Sequence, residues 1–275
     1  MDRYEPICVI ERGRAGRAGN DLGEAVLDEY LAFSRELALE AGNVIRQGFG
    51  KTREVAYKAD GSPVTDIDIR VNQVVIDGIR SRYPAHGLLG EERDFGTGLE
   101  SCRWICDPLD GTLPYIRGLP NSLFMLALAD GSGLLMAVAY DPFGDRLYHA
   151  TRAGGAFCNG SPIHVSGRGF RDGCVVLGSD SLSFADAIRQ AGGRVEPVPG
   201  SGYKSMLVAC GDAVGLLKTT ADFHDVAPAA LIVREAGGQV TALDGSSPDL
   251  CRTIEGGVII SNGLAHPALM AVARN

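Results

Sequence analysis

Carboxylates dominate the residues of this chain that could do chemistry, and the densest group lies in Trp104-Ile-Cys-Asp107-Pro-Leu-Asp110-Gly-Thr112. An apolar run ends at Asp107, Pro108 breaks it, and Asp110-Gly111 turns the chain: a strand end followed by a tight turn. Two carboxylates three residues apart at such a point can converge, and hard divalent cations such as Mg²⁺ take oxygen ligands of that kind. If a helix starts at Thr112, the amides of Gly111 and Thr112 and the threonine hydroxyl can cradle a phosphate at its N-terminus. The plainer reading is an Asp-Pro/Asp-Gly turn whose carboxylates only cap backbone amides. On these residues alone the two readings stand level.

Three more acidic positions bear on the choice. Glu91, in Gly90-Glu91-Glu92, follows the apolar Leu88-Leu89 and can complete an oxygen cage, although adjacent acids after a strand are most often solvated. Asp68 lies in Pro63-Val-Thr65-Asp-Ile-Asp68, where Thr65 and Asp68 have capping-box spacing. A carboxylate tied to its own cap is less free to orient a water, so capping and chemistry compete there. Asp225, in Asp222-Phe-His-Asp225-Val-Ala, starts another helix and reads most simply as an N-cap. His224 reads as a packed or rim histidine, because carboxylates rather than imidazoles dominate the candidate sites. No phosphate-loop, dinucleotide or nucleophile-elbow motif stands in its required context, and Cys102 and Cys106 lack a second pair at zinc spacing.

The elements that must position these groups follow from periodicity. Leu27, Tyr30, Leu31, Ser34, Leu37, Ala38, Ala41, Val44 and Ile45 form one stripe of an amphipathic helix closed by Gly48 and Gly50. Asp60-Gly-Ser-Pro63 is a turn, and a second helix runs from Asp66 to Arg82. Strands are expected at Gly87–Gly90, Arg103–Cys106, Leu123–Ala129, Leu134–Tyr140 and Arg146–Thr151, the last three as an antiparallel meander. After Val165 strands and helices alternate, with helices near Phe184–Ala191, Tyr203–Cys210, Val226–Ala236 and Leu264–Ala273. This order implies an α/β fold of mixed sheets with helices layered on them. The domain expectation is a mobile extension at 1–20, an α+β half at 21–165 carrying the site, and an α/β half at 166–275, packed as one unit.

The 275 residues are 45% hydrophobic, enough for a substantial core. A net charge of −8 argues against a nucleic-acid polymer as partner, and an acidic protein that handles phosphate needs a local positive source such as metal ions. Seven scattered cysteines suit a reduced, cytoplasmic protein. No apolar run is long enough to span a membrane, and the N-terminus lacks a signal-peptide order.

Taken in order, several segments resemble the inositol monophosphatase superfamily of lithium-sensitive, Mg²⁺-dependent phosphatases. They are Lys58 with Pro63-Val-Thr-Asp-Ile-Asp68, Gly90-Glu91-Glu92, Asp107-Pro-Leu-Asp110-Gly-Thr112, Gly154-Gly-Ala-Phe-Cys-Asn-Gly160, Asp225-Val-Ala and Glu235-Ala-Gly-Gly238. The resemblance runs from the first helix to the C-terminus. It implies an αβαβα sandwich, a homodimer, two or three Mg²⁺ ions, and hydrolysis of a small sugar- or polyol-type phosphate by metal-activated water. It assigns Glu91, Asp107 and the Leu109 carbonyl to a first ion, and Asp107, Asp110 and Asp225 to a second. A third, weaker ion would face Glu91. Asp68, Glu91 and Thr112 become catalytic, and the Gly111 and Thr112 amides hold the phosphate.

Departures from the pattern concern the substrate. Leu113-Pro114-Tyr115 replaces the polar residues common after the Asp-Gly-Thr motif, and Lys218 stands where inositol phosphatases carry a glutamate. Gly200-Ser-Gly-Tyr-Lys204 is closer to the bisphosphate nucleotidase branch, whereas the Gly154–Gly160 loop is closer to the inositol and histidinol phosphatase branches. Lys204 and Lys218 are thus expected in substrate binding, with Lys218 favouring a second anionic group unless it points into solvent. The 3′(2′),5′-bisphosphate nucleotidase and histidinol-phosphate phosphatase readings stay open, as does a degenerate member that binds phosphate compounds without turnover.

Overall fold

The computed structural model describes residues 23–51, 55–59, 61–96, 102–250 and 256–274; the expected N-terminal extension lies outside them. Helix α1 spans Glu24–Gly48, followed by a short hairpin, β1 (Val55–Tyr57) and β2 (Pro63–Thr65), and by α2 (Asp66–Arg82). Next come β3 (Gly87–Gly90), β4 (Cys102–Asp110), the short α3 (Thr112–Ile116), β5 (Leu123–Asp130), β6 (Gly133–Asp141), β7 (Arg146–Thr151), β8 (Gly155–Cys158) and β9 (Ser161–Pro162). The remainder is β10 (Cys174–Leu177), α4 (Ala185–Gln190), β11 (Arg194–Pro197), α5 (Ser201–Ala209), β12 (Gly215–Lys218), α6 (Phe223–Glu235), β13 (Gln239–Ala242), β14 (Val258–Ser261) and α7 (His266–Ala273).

Strands β3 to β9 form a seven-stranded sheet in sequence order, parallel only between β3 and β4. The second sheet runs β11-β10-β12-β14-β13, parallel across its first three strands and antiparallel beyond. Alternation of side chains sorts the core into layers. Phe124, Leu126 and Leu128 of β5 pack with Leu37, Ala41 and Ile45 of α1 and Val71 and Val75 of α2. The intervening Leu123, Met125, Ala127 and Ala129 pack instead with α6 residues Ala227, Ala230 and Val233 and with Leu216 and Ile260 of the second sheet. Leu217 and Ile259, one residue along, meet Ile188 of α4 and Leu269 of α7. Five layers result, αβαβα, as the resemblance implied. A sheet covered on both faces explains why β5 and β6 are almost continuously apolar.

Two expectations needed revision. Pro63, expected in a turn, instead opens β2 of a hairpin whose connection carries Lys58, its strands too short to show a period of two. The strand read as ending at Cys106 continues to Asp110, because the ladder with β5 absorbs Pro108 in a bulge: Asp107 pairs with Met125 and Asp110 with Leu123. Three steps on one strand match two on the other, so the proline's missing N–H falls where a ladder bond is already lost.

The enclosure of α6 between two sheets is open to a direct test. Ala230 is fully buried there, and overpacking such a site typically costs about 1–3 kcal/mol. Ala230→Leu should lower the urea midpoint by a corresponding amount with an unchanged slope. An unaltered midpoint would mean that α6 is not sandwiched as described.

Candidate metal centre

The β4 bulge is the device that makes the site. Residues three apart on a regular strand point to opposite faces. One extra residue between Asp107 and Asp110 restores a common direction, and both carboxylates emerge at the same end of the sheet. Asp225 joins them from the first turn of α6. That helix starts at Phe223, so Asp225 is an inward-facing first-turn residue and not the N-cap. One oxygen from each of Asp107, Asp110 and Asp225 lies within 4.8 Å of the others.

Charge is badly crowded here. Asp107 is 1% exposed and hydrogen-bonds with both Glu91 and Asp225. Burial, with the carboxylates of Glu91, Asp225 and Asp110, pushes Asp107 well above the ordinary carboxylate range. Burial and Asp225 push Asp110 up to about 6, against the pull of the Gly202 amide, Lys218 and Lys204. Burial would also raise Asp225, but the Lys218 ammonium, helped by His224, holds it below its usual value. An all-oxygen donor set crowded enough to raise the proton affinity of Asp107 and Asp110 suits a hard divalent cation, which removes the repulsion the protons otherwise relieve. These residues therefore fit the Mg²⁺ that the resemblance implies. The Leu109 carbonyl lies beside them, accepting a 3.2 Å hydrogen bond from the Thr112 hydroxyl.

Asp68 divides its two oxygens, one closing the cap and the other turned to Thr112. Oδ2 accepts from the Thr65 amide at 2.8 Å and the Thr65 hydroxyl at 2.5 Å, closing the box at the start of α2. Oδ1 accepts from the Thr112 hydroxyl at 2.9 Å. Burial raises the Asp68 pKa, partly opposed by the hydrogen bonds from Thr65 and Thr112. Thr112 opens α3 just after Gly111, whose left-handed backbone (φ 85°) turns the chain off the sheet. The departure at Leu113-Pro114-Tyr115 is largely structural: Tyr115 is buried and its hydroxyl donates to the Ile45 carbonyl at 2.6 Å, pinning α3 to α1.

Glu91 lies at the rim of the same cleft, and its Oε1 is 2.6 Å from Lys58 Nζ. Lys58 is equally close, 2.6 Å, to Glu92, so one ammonium serves both acids. The cleft encloses about 470 Å³ and is also lined by Lys204, Lys218, Asp180 and Arg117. Lys204 is only 3% exposed, and burial lowers its pKa against the opposing fields of Asp110 and Asp180. Lys218 does not point into solvent. Its ammonium donates to Asp225 Oδ2 and, at 2.8 Å, to the Ser201 hydroxyl. His224 is a packed rim residue, with Nε2 3.5 Å from Asp225 Oδ1.

Sequence reasoning missed the start of α5. Asp110 accepts from the Ser201 amide at 3.1 Å and the Gly202 amide at 2.9 Å, a carboxylate on a helix N-terminus supplied from another sheet. A Cβ at Gly202 would come within 2.5 Å of Met125 Sδ and 3.1 Å of Asp110 Oδ2. The glycines of Gly200-Ser-Gly202 were the available signal.

Comparisons with known proteins agree with this architecture. The model of the inositol monophosphatase family matches residues 26–275. A histidinol-phosphatase of Chlorobaculum parvum is 35% identical over 217 residues, covering 76% of this chain and 83% of the relative. The solved structure of the Thermotoga maritima inositol monophosphatase TM1415 superposes with a TM-score of 0.83 at 27% identity, covering 90% of this chain and 97% of that one. An inositol monophosphatase/NADP phosphatase solved with NADP and Ca²⁺ gives a TM-score of 0.81 at 25% identity, covering 90% and 95%. The chain belongs to the inositol monophosphatase family of phosphoric monoester hydrolases. Among the described residues no helix is long and apolar enough to cross a membrane.

The raised proton affinity of Asp110 fixes the sign of a pH effect. A group whose folded pKa lies above its unfolded value of about 3.9 stabilises the fold below that value and loses this contribution as pH rises through the folded pKa, here about 6. Asp110→Asn removes the charge and keeps an acceptor for one of the two α5 amides, losing the other bond at every pH alike. In chelator, the melting temperature of the variant should therefore gain on that of the wild type as the pH rises through about 6. Mg²⁺ should stabilise only the wild type strongly. A difference between the two in chelator that stays constant across that range would remove charge crowding as the cause.

Proposed function

We propose that the chain is a Mg²⁺-dependent phosphomonoesterase that hydrolyses a small sugar- or polyol-type phosphate ester, acting through an activated water. The observation that carries this reading is the placement of the Thr112–Asp68 hydrogen bond directly beside the convergent Asp107, Asp110 and Asp225. Glu91, Asp107 and the Leu109 carbonyl would hold one ion, and Asp107, Asp110 and Asp225 another, with a weaker third facing Glu91. Bound Mg²⁺ supplies positive charge against the phosphate oxygens and lowers the pKa of a water at the site.

The chain's own groups do the rest. Thr112 Oγ1 gives its proton to Asp68 Oδ1 and so keeps lone pairs for a water's O–H. Water, Thr112 and Asp68 then form a proton relay, and the burial that raises the Asp68 pKa makes it the stronger base. The cap on Oδ2 fixes the carboxylate's orientation rather than disabling it. Glu91 adds its carboxylate to Asp107, and Gly111 and Thr112, which line the cleft at the start of α3, would offer their amides to the phosphate. A homodimer belongs to the same reading.

A second substrate reading, a phosphate ester with a further anionic group, is favoured by Lys204. Among the described residues its buried ammonium in the cleft wall has no hydrogen-bonded carboxylate, whereas Lys218 is already engaged. Gly178 leaves room for it, since a Cβ there would fall 2.7 Å from Lys204 Nζ.

A panel of inositol 1-phosphate, histidinol phosphate, 3′-phosphoadenosine 5′-phosphate and fructose 1,6-bisphosphate, assayed with Mg²⁺ and with chelator, tests the main reading. Turnover should need Mg²⁺ and fall in Li⁺ or excess Ca²⁺; full activity in chelator would refute it, and no turnover of any member with Mg²⁺ would favour the degenerate alternative. Thr112→Val should lower kcat by about 10²- to 10⁴-fold while Mn²⁺ affinity stays within a few-fold. Asp107→Asn should lose both. If Thr112→Val loses metal affinity as well, the hydroxyl is a ligand and not a relay.

Lys204→Met separates the two substrate readings. It should cost roughly ten- to a hundredfold in kcat/KM on a bisphosphate, the worth of one charge-assisted hydrogen bond, and far less on inositol 1-phosphate. Equal losses on both would leave the monophosphate reading alone standing.

A further inference from the structure

Two of the three carboxylates assigned to the second ion already have their oxygens engaged by this chain's own donors. Asp110 gives Oδ1 to the Ser201 amide and Oδ2 to the Gly202 amide. Asp225 gives Oδ2 to the Lys218 ammonium and turns Oδ1 toward His224. An amide is neutral and can share an oxygen with a cation; an ammonium adds a full positive charge at the point where the ion must sit.

Lys218 has little freedom to leave. It is the last residue of β12, paired with Val258 of β14, and its carbonyl is packed against Gly257 so closely that a Cβ there would fall 1.9 Å away. Its side chain is 14% exposed, and its second partner, the Ser201 hydroxyl, is neutral. Asp180 acts on it only through space. Lys58 at Glu91 is a contrast. It lies on a short hairpin and also touches Glu92, so it keeps an anionic partner if a metal takes Glu91.

We propose that Lys218 is a tethered cation of the metal centre, standing on Asp225 in place of part of the divalent charge, so that the Asp107–Asp110–Asp225 corner binds its ion much more weakly than it would without this ammonium. Lys218 then sets the divalent concentration at which the centre fills, and it is a positioning residue rather than one that touches the reacting atoms. The inference rests on the ligand assignment above but not on any turnover.

Mn²⁺ titration of the full chain, with free ion counted by electron paramagnetic resonance at mildly alkaline pH and without substrate, reads it directly. The wild type should show one tighter and one weaker class of site. Lys218→Met should tighten the weaker class by about ten- to a hundredfold, as expected for removing one like charge at close range in a protein medium. Ser201→Ala removes only the hydroxyl that steadies the ammonium and keeps the amide on Asp110; it should shift the same class in the same direction by a smaller factor. In the Asp225→Asn background Lys218→Met should have no effect. Thermal upshift by Mn²⁺ gives a second readout and shows that each variant is folded. Unchanged affinity in folded Lys218→Met overturns the inference and leaves the phosphatase reading intact. Mn²⁺ binding by neither wild type nor variant overturns both.

Discussion

Asp107 is a carboxylate buried at the end of a strand in a sheet that is covered on both faces, and it hydrogen-bonds with two other carboxyl groups. An uncompensated charge in such a place is costly, so the group either takes a proton or finds a cation. Much of the surrounding structure can be understood as the supply of positive potential to this point. Helix α5 presents its first amides to Asp110, and β12 ends at Lys218, whose ammonium is bonded to Asp225. The five layers matter to function because they hold a bulged strand, two helix N-termini and a strand end against one small volume.

The local positive sources are unequal, and that inequality separates the two sides of the site. Lys58 divides itself between Glu91 and Glu92, whereas Lys218 is fixed by backbone packing and has one anionic hydrogen-bond partner. Among the described residues Lys204 has no such partner and is held in the wall by burial beside Asp110 and Asp180. Three ammonium groups near one cluster thus differ in how far they are committed, and the least committed is the one that the second substrate reading would use. The sequence alone assigned Lys218 to that task beside Lys204, because chain order shows that a lysine replaces an acid and not where its ammonium comes to rest.

Helix and strand positions were legible because their signals are local. The stripe of α1, the capping spacing at Thr65 and Asp68, and the apolar runs of β5 to β7 survive into the structure. What stayed hidden depends on pairing. Pro108 looks like a strand terminator until β5 is laid beside it and the proline falls in a bulge. The β1–β2 hairpin has three residues on each side, too few for alternation to show. The contact between Asp110 and the α5 amides joins residues about ninety positions apart, and no spacing rule reaches that far. Resemblance to known motifs supplied the ligand set, while the acid–amide and acid–ammonium contacts that tune it came only from the fold.

If Asp68 is the base of the proposed relay, its structural duty and its chemical one reinforce each other. A carboxylate free to rotate would hold Thr112 loosely, and a proton relay depends on short, aligned hydrogen bonds. Anchoring Oδ2 in the box that starts α2 fixes the plane of the carboxylate and aims Oδ1 at Thr112. The same burial that makes the cap strong also raises the proton affinity of the acid. Thr112 is in turn fixed by α3, which Tyr115 ties to the Ile45 carbonyl on α1. Thr112 and Asp68 are thus held in fixed relation by α2, by α3 tied to α1, and by the bulged strand β4 beneath them, which is the rigidity that the proposed relay requires.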